Sequence, residues 1–146
     1  MTADALANLW HVSDGLEACV LVCLHSILDD LAVKDRLSVH ELSDIRQKLP
    51  FSKSEALERC IQSTQAVPSG DQVEAGLLPL LFVITCETEV PELRLEMAAR
   101  VHNLANNFGI GNQRIASIIL RQICLRKVVP YSRAWQNAKW KDLILT

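Results

Sequence analysis

Cys19 and Cys23 stand four apart and are the nearest thing in this 146-residue chain to a metal-ligand pair. Structural zinc takes four Cys or His ligands, usually in closely spaced Cys pairs. Between Cys19 and Cys23 lie only Val20, Leu21 and Val22, and Cys60, Cys86 and Cys124 stand alone. Free cysteine often serves as a small hydrophobe, and that packing role is the reading taken for all five. Asp29-Asp30 has the look of a magnesium-binding acidic helix, but Val33 occupies the position three beyond Asp30, so no second carboxylate joins that face. A solvated helix edge is the simpler reading. His40-Glu41 and Cys86-Glu87 each put a base or nucleophile beside a carboxylate. Adjacent residues on a helix diverge in direction, so neither pair makes a dyad by itself. His11, His25, His40 and His102 share no spacing. Gly109-x-Gly111 has Arg114 where a dinucleotide fingerprint needs its third glycine, and it follows a helix rather than a strand. The residues thus name no reaction, no catalytic residue, no metal and no cofactor, and the expectation is a protein that is not an enzyme.

The elements that would position these residues are almost all helical. Ser13 or Asp14 can cap a helix running to about Val33, with Leu16, Val20, Cys23, Leu24, Ile27, Leu28 and Leu31 at helical spacing. Ser38-x-x-Glu41 and Ser52-x-x-Glu55 are capping boxes. The first opens a helix with Val39, Leu42, Ile45 and Leu49 on one face, stopped by Pro50. The second opens one carrying Ala56, Leu57, Cys60, Ile61 and Thr64. Pro68-Ser69-Gly70 is the clearest linker, and Asp71 with Glu74 suits another helix start. From Leu77 to Ile84 the chain is apolar on all sides, which predicts the buried central helix, bent by Pro79 inside it. A strand over Leu80–Ile84 is the rival, but no second convincing strand exists to pair with it.

Thr88 and Pro91 then mark a helix start, with Glu89 and Glu92 at its positive end and a stripe of Leu93, Met97, Val101, Leu104 and Phe108. Gly109 closes it. Asn112 caps a helix with Ile115, Ile118, Ile119, Gln122 and Ile123 on one face, and Ser132 caps a terminal helix carrying Ala134, Trp135, Ala138, Leu143 and Ile144. The expectation is one all-α domain over 1–146, an irregular bundle of about seven helices around a buried Pro-containing central helix. Its two halves would be 1–67 and 71–146.

Composition agrees with a packed domain: 49% of residues are apolar. The longest apolar run, Ala75–Ile84, is about half the length needed to cross a bilayer. The N-terminus has Asp4 and no basic residue before its first apolar stretch, which does not suit a signal peptide. An odd number of cysteines in apolar settings suits reduced intracellular thiols. The net charge of −2 hides an asymmetry, with −8 on residues 1–108 and +6 on residues 109–146. Arg121, Arg126, Lys127, Arg133, Lys139 and Lys141 form a candidate basic partner surface, or else neutralise the acidic body of the same molecule. No helix-turn-helix or single-strand platform is readable beside them.

Residues 76–124 have an order that composition alone would not produce. Pro79, Leu80, Leu81, Phe82, Val83, Ile84, Thr85, Cys86 and Glu87 form an apolar helix ending in small residues. Pro91, Glu92, Arg94 and Arg100 mark an acidic, arginine-containing helix, and Phe108-Gly109 a turn. Ala134-Trp135 and Trp140-Lys141 supply a Trp-containing terminal piece. This pattern resembles the C-terminal part of the fungal-specific transcription factor domain, the helical regulatory region of fungal zinc binuclear-cluster transcription factors. The six-cysteine DNA-binding cluster is missing, since the chain has only five cysteines and no Cys-x2-Cys. The resemblance implies a nuclear, non-enzymatic regulatory piece, shortened relative to the family and without direct sequence-specific DNA binding. It would act through helix packing against a protein partner such as a related full-length factor, and not at a membrane. The alternative is a small helical enzyme or ligand-binding protein with a pocket near the Pro79 bend, using Cys86, Glu87 or His102.

Overall fold

A threonine caps the first helix far earlier than the sequence suggests. In the computed structural model, which describes residues 2–108, α1 spans Ala3–Val33 and the Thr2 side chain accepts from the Ala5 N–H. Ser13 and Asp14 lie within its second quarter, where the unbroken helical potential of the Ala- and Leu-rich start carries the helix through them. The helix ends in a paired motif: the Arg36 N–H returns to the Leu31 carbonyl and the Asp35 N–H to that of Ala32. Asp35 takes the left-handed conformation that such an end requires, at φ 53°.

Four further α-helices and one 3-10 helix follow, and no strand occurs among the described residues. They are α2 (Val39–Lys48), α3 (Lys53–Ala66), the 3-10 helix (Gln72–Leu77), α4 (Leu78–Glu87) and α5 (Pro91–Phe108). The all-helical class therefore holds. Of the seven helices expected, the two placed after Gly109 lie outside the described residues, so a count of seven does not stand. Ser38 and Ser52 cap α2 and α3 as their spacing predicts, accepting from the N–H of Glu41 and Glu55. Leu49, held extended ahead of Pro50, ends α2.

Pro79 does not bend the central helix. The chain winds first as a 3-10 helix capped by Asp71, then switches to α-helix at Leu78, so Pro79 falls in the first turn of α4. A proline there loses a hydrogen bond that the helix start would not have made. From Leu80 to Cys86 every residue of α4 is buried, which makes it the central rod. The strand reading of Leu80–Ile84 fails with it.

α1 and α3 run antiparallel against each other. Gly15 lies beside Cys60 and Ser63, His25 reaches Phe51, and Asp29 reaches Lys53. α4 lies in the groove beside them, and α5 closes over α4 with Met97, Val101 and Leu104 buried. The stripe expected on α5 is thus the one it uses; the Phe108 side chain lies outside the described residues. α2 departs from expectation. None of its residues is buried and Val39 is 83% exposed, so its apolar face is too short to enter the core.

Candidate functional site

α1 is apolar nearly all round, and its two faces differ in size. The inner one carries Gly15, Ala18, Cys19, Val22 and Ser26, small residues that let neighbouring helices come close. A Cβ added at Gly15 would stand 2.2 Å from Leu80 Cδ2 and 2.9 Å from Ser63 Cβ. The outer face carries the larger side chains. Leu9, Leu16, Val20, Leu24 and Ile27 follow one another at helical spacing, with Leu6 and Trp10 beside them, each between 37% and 63% exposed. Of the stripe read from the sequence, only Leu28 is buried, Cys23 and Leu31 are half-buried, and Leu16, Val20, Leu24 and Ile27 face outward. Scattered exposed leucines are ordinary; an apolar line along a rod of about 46 Å is not. No Lys or Arg interrupts it, and the charges on α1 are Asp4, Asp14, Glu17, Asp29 and Asp30.

A polar cleft lies on another side of α1, where Ser26 and Asp29 meet Lys53 of α3 and Cys86, Glu87 and Thr88 at the end of α4. Lys53 Nζ is 2.9 Å from Glu87 Oε2 and 3.1 Å from Asp29 Oδ2. The Ser26 hydroxyl donates to Glu87 Oε1 at 2.9 Å. Arg46 pairs with Asp29, which fastens the surface helix α2 to the body. His25 Nε2, 2.8 Å from the Phe51 carbonyl, must donate to it, which leaves Nδ1 to accept from Arg46 at 3.4 Å. Burial works to lower the Lys53 pKa, but the hydrogen bond and charge of Glu87, followed by those of Asp29, outweigh it and hold the ammonium above its ordinary value. An ammonium kept protonated in this way is neither a base nor a nucleophile near neutrality. The cleft's charges are spent on one another, clamping α1, α2, α3 and α4.

Two arginines of α5 finish the ends of other helices. Neither α3 nor α4 has a basic residue in its last turn. Arg94 donates to the Thr85 and Thr88 carbonyls at the end of α4. Arg100 donates to the Thr64 and Val67 carbonyls at the end of α3 and pairs at 2.6 Å with the buried Glu74. The second Glu74 oxygen accepts from the Gly70 N–H at 2.7 Å. Orphan carbonyls that a local cap would normally satisfy are thus satisfied from a distant helix.

The residues singled out for chemistry do not converge. Asp29 and Asp30 diverge, the latter pairing with Lys34 at 2.9 Å. Cys86 is buried while Glu87 turns toward Lys53, and His40 and Glu41 lie exposed on α2. The depression holding Cys86 and Glu87 lies at the opposite end of α4 from Pro79, where the straight helix leaves no bend to shape a pocket. Among the described residues, no group of three or more His, Cys, Asp or Glu side chains is arranged to hold a metal ion. No described helix is long and apolar enough to cross a membrane. Arg121, Arg126, Lys127, Arg133, Lys139 and Lys141, the candidate basic partner surface, lie outside the described residues.

Sequence reasoning missed Ser26, His25, Arg46 and Lys53. The signal for the first two was their place as polar interruptions in an otherwise apolar helix, which demands hydrogen-bond partners when buried. The chain matches no family model, no curated protein and no solved structure.

Proposed function

We propose that this chain is a non-enzymatic, helical, transcription-regulation module that works in the nucleus by packing the outer face of α1 against a protein partner. The partner is a helical regulator of the fungal zinc binuclear-cluster type, whose own helices supply the apolar surface that this face lacks. One observation carries the reading: large apolar side chains from Leu6 to Ile27 stand in line on the solvent side of a long helix. Contiguous apolar surface beyond roughly a few hundred Å² is characteristic of interaction sites. The resemblance of residues 76–124 to the regulatory region of those factors selects the class of partner. Sequence-specific DNA contact is not part of this role, because the chain has no Cys-x2-Cys and therefore no six-cysteine cluster.

The cleft at Lys53 and Glu87 is the observation that favours the other reading, a small ligand-binding protein or enzyme. It ranks second because its charged groups face each other at hydrogen-bonding distance instead of pointing into open space. Calorimetric titration of the full chain with the helical regulatory region of such a factor separates the two. Saturable binding with a negative heat-capacity change is expected, abolished by the paired substitution Val20→Glu and Ile27→Glu. Absence of binding, or binding indifferent to that pair, would overturn the proposal.

A further inference from the structure

We infer that the segment received by the outer face of α1 is a cationic amphipathic helix, an apolar stripe bordered by Lys or Arg side chains that meet Asp14 and Glu17. The inference deepens the proposed function and rests on it, by naming the chemistry that the partner presents.

The arrangement of charge along α1 argues for it. Leu6, Leu9, Leu16, Val20, Leu24 and Ile27 give the line its apolar length. Glu17 stands seven residues after Trp10 and seven before Leu24, two helical turns from each and so on the same face. Trp10, Asp14 and Glu17 follow one another at i, i+4 and i+7, which sets them in one ridge along the line. All three are exposed. Among the described residues no ion pair holds Asp14 or Glu17, whereas Asp29 and Asp30 on the same helix are both paired. A purely apolar helix laid on the line would take two carboxylates out of water with nothing in return. A Lys or Arg at the border of the incoming helix removes that cost. The exposed indole of Trp10, one turn before Asp14, offers the same cation a π face.

The two carboxylates also count against other coverings. Glu17 lies eleven residues after Leu6 and ten before Ile27, at the middle of the line. A second copy brought up by a two-fold axis through that middle would set Glu17 against its own counterpart. A lipid surface draws helices with Lys or Arg beside their apolar face, and α1 has neither.

Calorimetric titration of the full chain with two synthetic helices of about 22 residues, the length of the line, tests it. One carries a leucine stripe bordered by Lys, the other the same stripe bordered by Glu. The Lys peptide is expected to bind one to one and to weaken as salt rises, and the Glu peptide to bind at least about tenfold more weakly. The charge swap Asp14→Lys with Glu17→Lys, both at exposed positions, is expected to reverse that order, and a gain of binding cannot come from misfolding. Equal affinity for the two peptides, or an order that the swap leaves unchanged, would overturn the inference. So would a dimer of the parent chain, or its binding to phosphatidylglycerol vesicles, that Val20→Glu with Ile27→Glu abolishes. A factor's regulatory region that binds the α1 face with an affinity indifferent to the swap would remove the inference while leaving the proposed function standing. Swap-dependent peptide binding by a chain that ignores that region would do the reverse.

Discussion

Arg100 and Glu74 form the most consequential pair among the described residues. Glu74 is 1% exposed, and its two oxygens are taken up by Arg100 and the Gly70 N–H. Buried ion pairs are often no better than apolar replacements of both partners, but removing one partner strands the other charge. Arg100→Met should therefore lower unfolding stability by about 3–5 kcal/mol in urea titration. A loss under about 1 kcal/mol, the size of a surface ion pair, would show the clamp is not made. The thiols give a second expectation. Burial, followed by the neighbouring Cys23, pushes Cys60 from 9.0 to about 12. Cys19 is also raised, first by its hydrogen bond with Cys23 and then by burial. A proton held more tightly in the folded state gives stability that is complete below pH 9 and is lost as pH climbs toward 12. Urea stability should fall across that window, and Cys60→Ala should flatten the slope; an unchanged slope in the variant would count against this assignment. Little of this was legible beforehand. Arg94 and Arg100 stood out in the sequence as marks of a helix type, yet apart from Glu74 their partners are backbone carbonyls, and any residue type carries a carbonyl.

Most helix starts made by a side-chain cap were legible, although the Thr2 cap of α1 was missed in favour of Ser13 or Asp14, and boundaries set by backbone geometry were not. Ser38, Ser52 and Asp71 announce their helices because a short polar side chain at that spacing has one obvious use. Pro79 misleads, since a proline reads as a bend or as a start depending on whether the turn before it is α or 3-10. The stripe on α1 misleads for another reason. Periodicity counts apolar residues and favours the bulky ones, whereas the buried face here was settled by how near α3 and α4 can approach. Gly15 marks the closest crossing, with Ser63 Cβ and Leu80 Cδ2 already where a methyl group would go. Leu80 can rotate away, but the Ser63 Cβ can move only with its backbone. Gly15→Ala should therefore cost about 1–3 kcal/mol even though alanine is the better helix former. A variant as stable as the parent in thermal melts would mean that α1 and α3 are less tightly packed than described.

At the scale of the molecule, the sequence reading recovers the helical class and, within the Leu77–Ile84 run it marked, the central place of Leu80 to Ile84, because an element apolar on every side has only one stable location. It does not recover how the other helices surround that rod, which depends on contacts between residues far apart in the chain: Asp29 with Lys53, Ser26 with Glu87, Glu74 with Arg100. The candidate site was legible only in part, as four members of an apolar stripe without Leu6, Leu9 or Trp10, and illegible as a surface. Leu16, Val20, Leu24 and Ile27 were all picked out, but only the packed body shows that they look outward. The borrowed capping by Arg94 and Arg100 bears on how the protein is made. During synthesis α1 and α3 emerge from the ribosome first, yet the tail end of α3 has only water on its Thr64 and Val67 carbonyls until Arg100 has been translated and has cleared the exit tunnel. The earlier helices therefore wait for the later one, and a nascent chain halted before that point should stay a target for chaperones.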